Sequence, residues 1–573
     1  MYISQIEIHN FRKYKDLTLN LNKGLNVFVG ENNSGKTAII DAIRYVIDPD
    51  NYSVRIQEND FNAENNAIEI TLKFSELSSK EESTFMEFLT FENVETGIKP
   101  FLYLSLTATE QHPHRWIRAG KDKDIDIDFQ VREQIHTAYF RPLRDAENEL
   151  APRQQSRLSK ILQIYGKKHP ESKTAILNNL HTFNESIKTQ DVIKNSNADT
   201  THNLTKLLLY PDKNETKTKI DIPQTSDADK NFRHISERLK LDFAKETKQG
   251  LGYYNLLFMA AELILLRNEG ESKLSSFLLI EEPEAHLHPQ LQYNLLKFVQ
   301  EEIAKPDVSS LQVFITTHSP NISSKVDVEN LILLTSEDNN AYSLREGATK
   351  ADSKDYKFIT KFLDTTKANM FFAKGIIFVE GFSEEILFPV FAKILGYDLE
   401  DYGVSIISIN GTSHERYAKI LQRQDGTELP IPASFVRDAD NLKDATLSDK
   451  KGNIETVTML KFFSSSEKTL EYDIAKSMWQ QSCATLKSLY VNIPAEIKTI
   501  ETSDYETKKD DFYRTINDSR GKSEFAYKLS QDLMDKKPDW ENLKESIPEY
   551  IKNAITHVVN IIVPTNSDSQ QIF

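Results

Sequence analysis

Cysteine is almost missing: Cys483 stands alone among 573 residues. A single thiol excludes an internal disulfide and any Cys-rich zinc site. It fits a reducing compartment, so the expected location is cytoplasmic. Long apolar runs are also missing. No stretch approaches the about 20 residues a membrane helix needs, so no membrane partner is expected. The N-terminal MYISQIEIHNF alternates as an amphipathic strand and has no signal-peptide pattern. Positive charge is in deficit: 70 Lys and Arg face 86 Asp and Glu, a net charge of −16. That argues against a passive nucleic-acid coat. It does not exclude a nuclease, which gathers carboxylates at its metals and confines its cations to a groove. Repeats of solenoid period and long low-complexity tracts are lacking as well. What is present, 39% apolar and 27% charged residues, describes a soluble globular chain. Its length predicts about two to four domains.

The apolar run Gly24–Val29 reads as a buried strand and leads straight into Gly30-Glu31-Asn32-Asn33-Ser34-Gly35-Lys36-Thr37. Helical periodicity follows, with Ile39, Ile40, Ile43 and Val46 on one face. Strand, glycine loop and helix in this order form a phosphate cradle. Gly30, Asn32, Asn33, Ser34 and Gly35 offer backbone N–H groups, Lys36 reaches the β/γ-phosphates, and the Thr37 hydroxyl coordinates Mg²⁺. ATP with Mg²⁺ is therefore the expected cofactor.

A second buried strand, Phe277–Ile280, ends in Glu281-Glu282. In an ATPase the first acid holds the water shell of the metal and the second polarises the attacking water. The following Pro283-Glu284-Ala285-His286-Leu287-His288-Pro289 resembles the Walker B and D-loop of ABC/SMC-like ATPases. Its form is that of the overcoming lysogenization defect (OLD) nucleases and their relatives. His318, at the end of the apolar strand Leu311–Thr317, resembles the switch histidine that senses the γ-phosphate. Lys248-Gln249-Gly250-Leu251-Gly252 occupies the place of a signature loop, with Gly250 and Gly252 the candidates to reach a partner's nucleotide. It departs from the common Ser-Gly-Gly form but is similar to the OLD Gly-x-Gly. A His286–His288 metal pair is disfavoured because no third zinc ligand lies nearby in sequence.

Residues 150–235 are polar with helical patches such as Leu158, Ile161, Leu162 and Tyr165. They resemble the helical dimerisation insert of the OLD relatives, and Leu204, Leu207, Leu208 and Leu209 are candidate contact leucines. Arg141, Arg144, Arg153 and Arg157 cluster just before and within this insert. They could meet phosphate on ATP or DNA, or equally pair with Asp145, Glu147 and Glu149. Residues 336–357 carry a loop signature, which sets a boundary.

The C-terminal half shows buried strands at Gly375–Val379, Val404–Ile409 and Ala433–Arg437, with a fourth expected at Val558–Val563. Helical segments between the first three predict a small parallel α/β domain, whose ligands sit at the carboxyl ends of the strands. Glu380 ends the first strand, and Asp438 and Asp440 end a later one. Glu384 lies one helical turn beyond Glu380. This order resembles the Toprim domain of topoisomerases, primases and OLD nucleases. Within it, Glu471 matches a further OLD metal ligand and Lys522 the late catalytic lysine. Glu385, Asp473 and Glu524 are read as supporting or surface groups. Carboxylates are suitable ligands for Mg²⁺ or Mn²⁺.

The fold class expected is α/β. An ABC-type P-loop ATPase domain (1–149 and 236–340) carries a helical insert at 150–235. A linker (341–369) leads to a Toprim domain with a Rossmann-like parallel sheet (370–573). The resemblance implies an ATP-binding and hydrolysing, metal-dependent DNA endonuclease or nickase. Glu380, Lys522, Glu282 and His318 would be catalytic. Glu380, Glu384, Asp438, Asp440, Glu471 and Thr37 would hold metal, with Glu281 beside the ATP. It also implies a homodimer or homotetramer in antiviral defence. A co-encoded partner could be a helicase, as in Gabija systems, or a retron's reverse transcriptase with its DNA–RNA hybrid. Two alternatives are a recombination or repair ATPase whose Toprim domain binds DNA without cutting, and an ATP-gated scaffold.

Overall fold

Alternation along the strands decides how the layers stack. The computed structural model describes residues 1–48, 56–62, 67–95, 97–141, 150–154, 156–207, 217–223, 225–243, 250–270, 274–285, 287–305, 311–411, 413–440, 442–490, 495–519 and 521–563. Strands β1 (Tyr2–Phe11), β2 (Tyr14–Asn20) and β3 (Leu25–Val29) lead into the helix Lys36–Ile47. Strands β4 (Ala67–Ser75), β5 (Leu89–Val94), β6 (Gly97–Thr109), β7 (His112–Ala119), β8 (Ile125–Asp126) and β9 (Ile135–Phe140) follow. After the insert come β10 (Ser275–Glu281), β11 (Leu311–Thr317), β12 (Leu331–Leu334) and β13 (Ala341–Ser343). The last part holds β14 (Gly375–Val379), β15 (Val404–Ser408), β16 (Ala433–Arg437) and β17 (Leu460–Ser464).

Three sheets result. The first is antiparallel, in the order β2-β1-β4-β6-β7-β8 with β5 beside β6. The second, β13-β12-β3-β11-β10-β9, is parallel except for β13. Its continuous apolar strands are buried on both faces, as parallel sheets require. Phe28, Phe277, Leu279 and Phe314 face the antiparallel sheet. Val27, Val29, Leu278 and Ile315 face the opposite core, with the helices Leu251–Gly270 and Pro289–Ile303. The third sheet, β15-β14-β16-β17, is wholly parallel. Ile376, Phe378 and Phe435 on one of its faces continue the core of the second sheet. Ile377, Val379 and Val436 on the other face pack under the helices Phe382–Leu395, Lys522–Asp535 and Glu549–Ile562. One apolar core therefore runs from the second sheet into the third.

Two expectations are corrected. Val558–Val563 is not a strand: it ends the helix Glu549–Ile562. Ile551, Ile555, Val558 and Val559 are buried at helical spacing, a period that a short β-branched run hides. The fourth strand is β17. Residues 341–369 are not an open tether either. They hold β13, paired with β12, and the helix Ser353–Phe362, started by an Asp352/Asp355 capping box. Asp355 also binds Arg416 at 3.1 Å and Lys419 at 2.9 Å, tying this segment to the C-terminal domain. Polar residues that read as loop are spent on caps and ion pairs.

The insert forms helices Arg157–Lys168, Pro170–Thr189, Asp191–Leu207 and Ala228–Ser236. Against the described residues Asp191–Leu207 buries none of its own, and Phe183, Val192 and Leu207 are exposed. Leu208 and Leu209 lie outside the described residues, as do Arg144 and its neighbours Asp145, Glu147 and Glu149. No described helix is long and apolar enough to cross a membrane.

Candidate functional sites

The glycine loop is built by close approach. Gly30 has a φ of 154°, and a Cβ there would lie 2.1 Å from the Leu334 carbonyl oxygen. Gly35, with φ 99°, precedes the helix Lys36–Ile47, and a Cβ there would lie 2.3 Å from the Tyr14 hydroxyl. Only glycine satisfies both conditions. Asn33 is left-handed at φ 62°. Asn32 and Asn33 are exposed, and Ser34 is buried. The Lys36 ammonium donates to the carbonyls of Gly30 (2.8 Å) and Glu31 (2.7 Å). Burial lowers its pKa, partly offset by Glu282 and Glu284. Lys13, which no motif announces, donates to Ser34 O (2.8 Å) and Thr335 O (3.0 Å), clamping the loop from outside.

The acids face this loop across the sheet. Thr37 donates to Glu281 Oε2 at 3.2 Å, and the Tyr139 hydroxyl donates to Glu281 Oε1 at 2.6 Å. Burial raises the Glu281 pKa. Glu282 sits at φ 44°, a left-handed conformation unusual for a non-glycine residue and typical of functional sites. Its N–H donates to Thr316 O at 3.0 Å. The His318 ring stands between two carboxylates, Nδ1 3.6 Å from Glu282 and Nε2 3.7 Å from Glu284. The motif alone gives Glu284 no task. Its Oε1 accepts from His318 N (2.8 Å) and Thr317 Oγ1 (2.9 Å), so it fixes the histidine's position. Burial raises its pKa.

Gly250 is exposed, and Gly252 lies in the first turn of the helix Leu251–Gly270. Lys248, Gln249 and His286 lie outside the described residues. The His288 ring accepts from Gln290 N and caps the helix Pro289–Ile303, a structural task.

The second site gathers four distant segments at the carboxyl end of the third sheet. Glu380 follows β14, and Glu384 lies buried on the first turn of the helix Phe382–Leu395. Asp438 follows β16 and accepts from Leu470 N at 2.9 Å, capping the helix that carries buried Glu471. Glu471 meets Lys522 Nζ at 3.0 Å and accepts from Thr469 Oγ1 at 2.7 Å. Asp440 is exposed and left-handed at φ 52°. Its N–H donates to Lys468 O at 2.8 Å, which brings the loop after β16 against the start of the Glu471 helix. Asp473 accepts from Glu467 N at 3.0 Å and so props this loop, while Glu524 is exposed.

The electrostatics are those of crowded carboxylates. Burial, with Glu384 and Asp440 adding to it, pushes Glu380 up to about 7 against the pull of Arg437. Burial followed by Glu384, Glu471 and Glu380 pushes Asp438 up to about 8. Burial and then Glu471 raise Glu384. Burial alone would lower Lys522, but Glu471 more than offsets it and the ammonium is held above its ordinary range. Arg437, another residue the sequence does not single out, is buried with its Nε 3.5 Å from Glu380 Oε1. Neither atom makes a hydrogen bond among the described residues. An all-oxygen donor set with a buried, unsatisfied carboxylate oxygen suits a hard divalent cation. Among the described residues, no three acidic, histidine or cysteine side chains close into a ligand cage. The acids repel one another, and among the described residues Lys522 and Arg437 are the cations that oppose them.

Comparison with known proteins finds relatives of both parts of the chain. The AAA ATPase domain model matches residues 1–112 and 107–323. The model of the overcoming lysogenization defect protein-like TOPRIM domain matches residues 371–440. The chain is 26% identical over 399 residues to the endonuclease GajA of Bacillus cereus strain HuB5-5, covering 57% of each protein. It is 24% identical over 448 residues to the endonuclease GajA of strain VD045, covering 74% of this chain and 73% of that one. The chain thus spans little more than half of the first relative. Among solved structures, the C-terminal region of the Burkholderia pseudomallei OLD protein aligns with 33% of this chain and 99% of its own, at 20% identity and a TM-score of 0.28.

Proposed function

The chain belongs to the AAA ATPase domain family and carries an overcoming lysogenization defect protein-like TOPRIM domain, and on that premise we propose that it is an ATP-hydrolysing, divalent-metal-dependent DNA endonuclease or nickase. The observation that carries this reading is the meeting of Glu380, Glu384, Asp438, Glu471 and Lys522 at one sheet end. These acids, with Asp440, would hold Mg²⁺ or Mn²⁺, which supplies an acidified water and charge for the leaving oxygen.

The chain's own groups do the rest. Glu380, at the end of its strand and facing the other acids, accepts the proton of the attacking water. Lys522, always charged, neutralises the phosphate as negative charge builds on it. Arg437 keeps Glu380 turned into the cluster. In the ATPase domain, Lys36 exchanges its two carbonyl partners for the phosphates of ATP. Glu282 orients the hydrolytic water, and His318, aligned by Glu284, contacts the γ-phosphate. Gly250 and Gly252 open a helix whose N–H groups suit the nucleotide of a partner protomer. The exposed helix Asp191–Leu207 suits pairing with a second copy. Service in anti-phage defence, beside a co-encoded helicase or a retron's reverse transcriptase, is the setting that the family resemblance implies.

The test is cleavage of supercoiled, linear and single-stranded DNA with Mg²⁺ or Mn²⁺, each with and without ATP. Metal-dependent nicking or cutting of at least one substrate is expected. Binding without cleavage under every condition would leave a DNA-binding ATPase instead.

A further inference from the structure

A lysine ammonium sits on a flexible four-carbon stem and can donate in three directions, so one partner alone does not fix where it points. Lys522 opens the helix Lys522–Asp535, directly after Gly521 at φ 86°. Gly521 N donates to Ile516 O at 2.8 Å, which ends the helix Tyr505–Ser519 and turns the chain into the next one. Glu471, at 3.0 Å, is one partner of the ammonium. Tyr513, on the helix Tyr505–Ser519, is another. Its hydroxyl oxygen accepts from Lys522, whose Nζ lies 5.2 Å from the centre of the ring.

Tyr513 is itself held. Its ring stacks on that of Tyr472, with centres 4.7 Å apart and planes 23° from parallel. Tyr472 is buried, and its hydroxyl donates to Asp510 Oδ1 at 2.8 Å. Asp510 and Tyr513 stand three residues apart on one helix and so share a face. Tyr472 follows Glu471 on the helix Leu470–Ser477. Two stacked rings thus join the helix of the acid to the helix that ends beside the lysine. The two partners of Lys522 differ in kind. Glu471 belongs to the crowded carboxylates. Tyr513 offers a hydroxyl, which holds the ammonium without adding another carboxylate to them.

We propose that Tyr513 is a positioning residue for Lys522, fixing its ammonium at the carboxylate cluster where the phosphate of DNA is to be met. The proposal rests on the nuclease reading of that cluster. Tyr513 acts through Lys522 alone, so its contribution should vanish when the lysine is absent.

The experiment uses the full chain and Tyr513→Phe, which removes the accepting oxygen and keeps the ring stack. Both are also made in a Lys522→Ala background. In the metal-free chain, acylation of Lys522 is followed by peptide mass spectrometry, with Lys528 on the same helix as reference. Lys522 should react about threefold or more faster in Tyr513→Phe, with Lys528 unchanged. With Mn²⁺, nicking of supercoiled plasmid by Tyr513→Phe should slow about tenfold at unchanged DNA affinity. In the Lys522→Ala background the same substitution should change nicking by less than about twofold. The proposal is overturned if acylation of Lys522 is unaltered, or if Lys528 reacts faster to the same extent. It is overturned as well if nicking slows equally in both backgrounds. Nicking by the intact chain at a rate that Tyr513→Phe matches overturns the positioning role alone. No nicking by the intact chain overturns the nuclease reading, and the positioning role with it.

Discussion

The two chemical centres sit at equivalent places, the carboxyl ends of parallel strands, yet they are assembled in opposite ways. The nucleotide site is nearly contiguous: Gly30 to Thr37 form one loop on one strand and helix. Its cation, Lys36, is satisfied by backbone carbonyls at 2.8 and 2.7 Å while it waits for phosphate. The carboxylate site draws on residues from Glu380 to Lys522, and it is not satisfied. Its acids raise one another's pKa, and Glu380 Oε1 has no hydrogen-bond donor among the described residues. A site that must bind an anion can rest on its own backbone. A site that must bind cations has to store repulsion, and the surrounding core holds it in place.

Variants of each centre should separate accordingly. The largest effect is expected in the nucleotide site. Lys36→Ala should lower ATP affinity by about 10³-fold or more, whereas Glu282→Gln should keep binding and lose hydrolysis by about 10²-fold or more. Filter binding and phosphate release measure the two, and unchanged ATP affinity in Lys36→Ala would remove the glycine-loop assignment. In the other centre, Lys522→Ala should slow cleavage by about 10²–10³-fold while Mn²⁺ still binds, as titration calorimetry would read. Loss of Mn²⁺ binding together with cleavage would make Lys522 a structural prop.

The third effect concerns pH. Glu380 and Asp438 have raised pKa values, about 7 and about 8, so the folded chain holds protons that the unfolded chain releases near pH ~4. Their protonated forms contribute stability that is complete below about pH 4 and is lost as pH rises through about 7 and about 8. The metal-free chain should therefore melt about 5 °C or more lower at pH ~8.5 than at pH ~6. Mn²⁺ should restore most of that loss at the higher pH. Equal melting of the metal-free chain at both pH values would mean the carboxylates are not strained.

The smallest effect is on packing. A Cβ at Gly375 would lie 2.3 Å from Val558 and 2.9 Å from Ile562, so Gly375→Ala should cost about 1–3 kcal/mol in denaturant unfolding. An unaltered midpoint would show that helix Glu549–Ile562 does not pack on β14 as described.

Much of this is legible from residue order, and the contrast between the sites explains why. A glycine loop between strand and helix is a local property, so every residue from Gly30 to Thr37 can be named in place. Glu380, Asp438 and Asp440 are legible because each ends an apolar strand of a parallel sheet. Glu384 is legible as the acid one helical turn beyond Glu380, whereas Glu471 and Lys522 depend on family resemblance, since nothing local in Thr469–Tyr472 or Gly521–Ser523 announces a shared site. Glu284, Lys13 and Arg437 escape because their tasks exist only in three dimensions: the first aligns His318, the second clamps the loop and the third faces Glu380. Helix Glu549–Ile562 reads as a strand over its last turns because a β-branched run fits either period. The segment 341–369 reads as a linker because capping residues and loop residues share a composition.

Whether the C-terminal carboxylates form a metal-dependent cleavage centre is tested most directly by nicking of supercoiled plasmid. The intact chain, Glu380→Ala and Asp438→Asn are each titrated with Mn²⁺. Metal-dependent nicking by the intact chain is predicted, with a loss of about 10³-fold or more in both variants and ATP binding unchanged. Nicking that persists in both variants at the rate of the intact chain would contradict a cleavage centre at these acids.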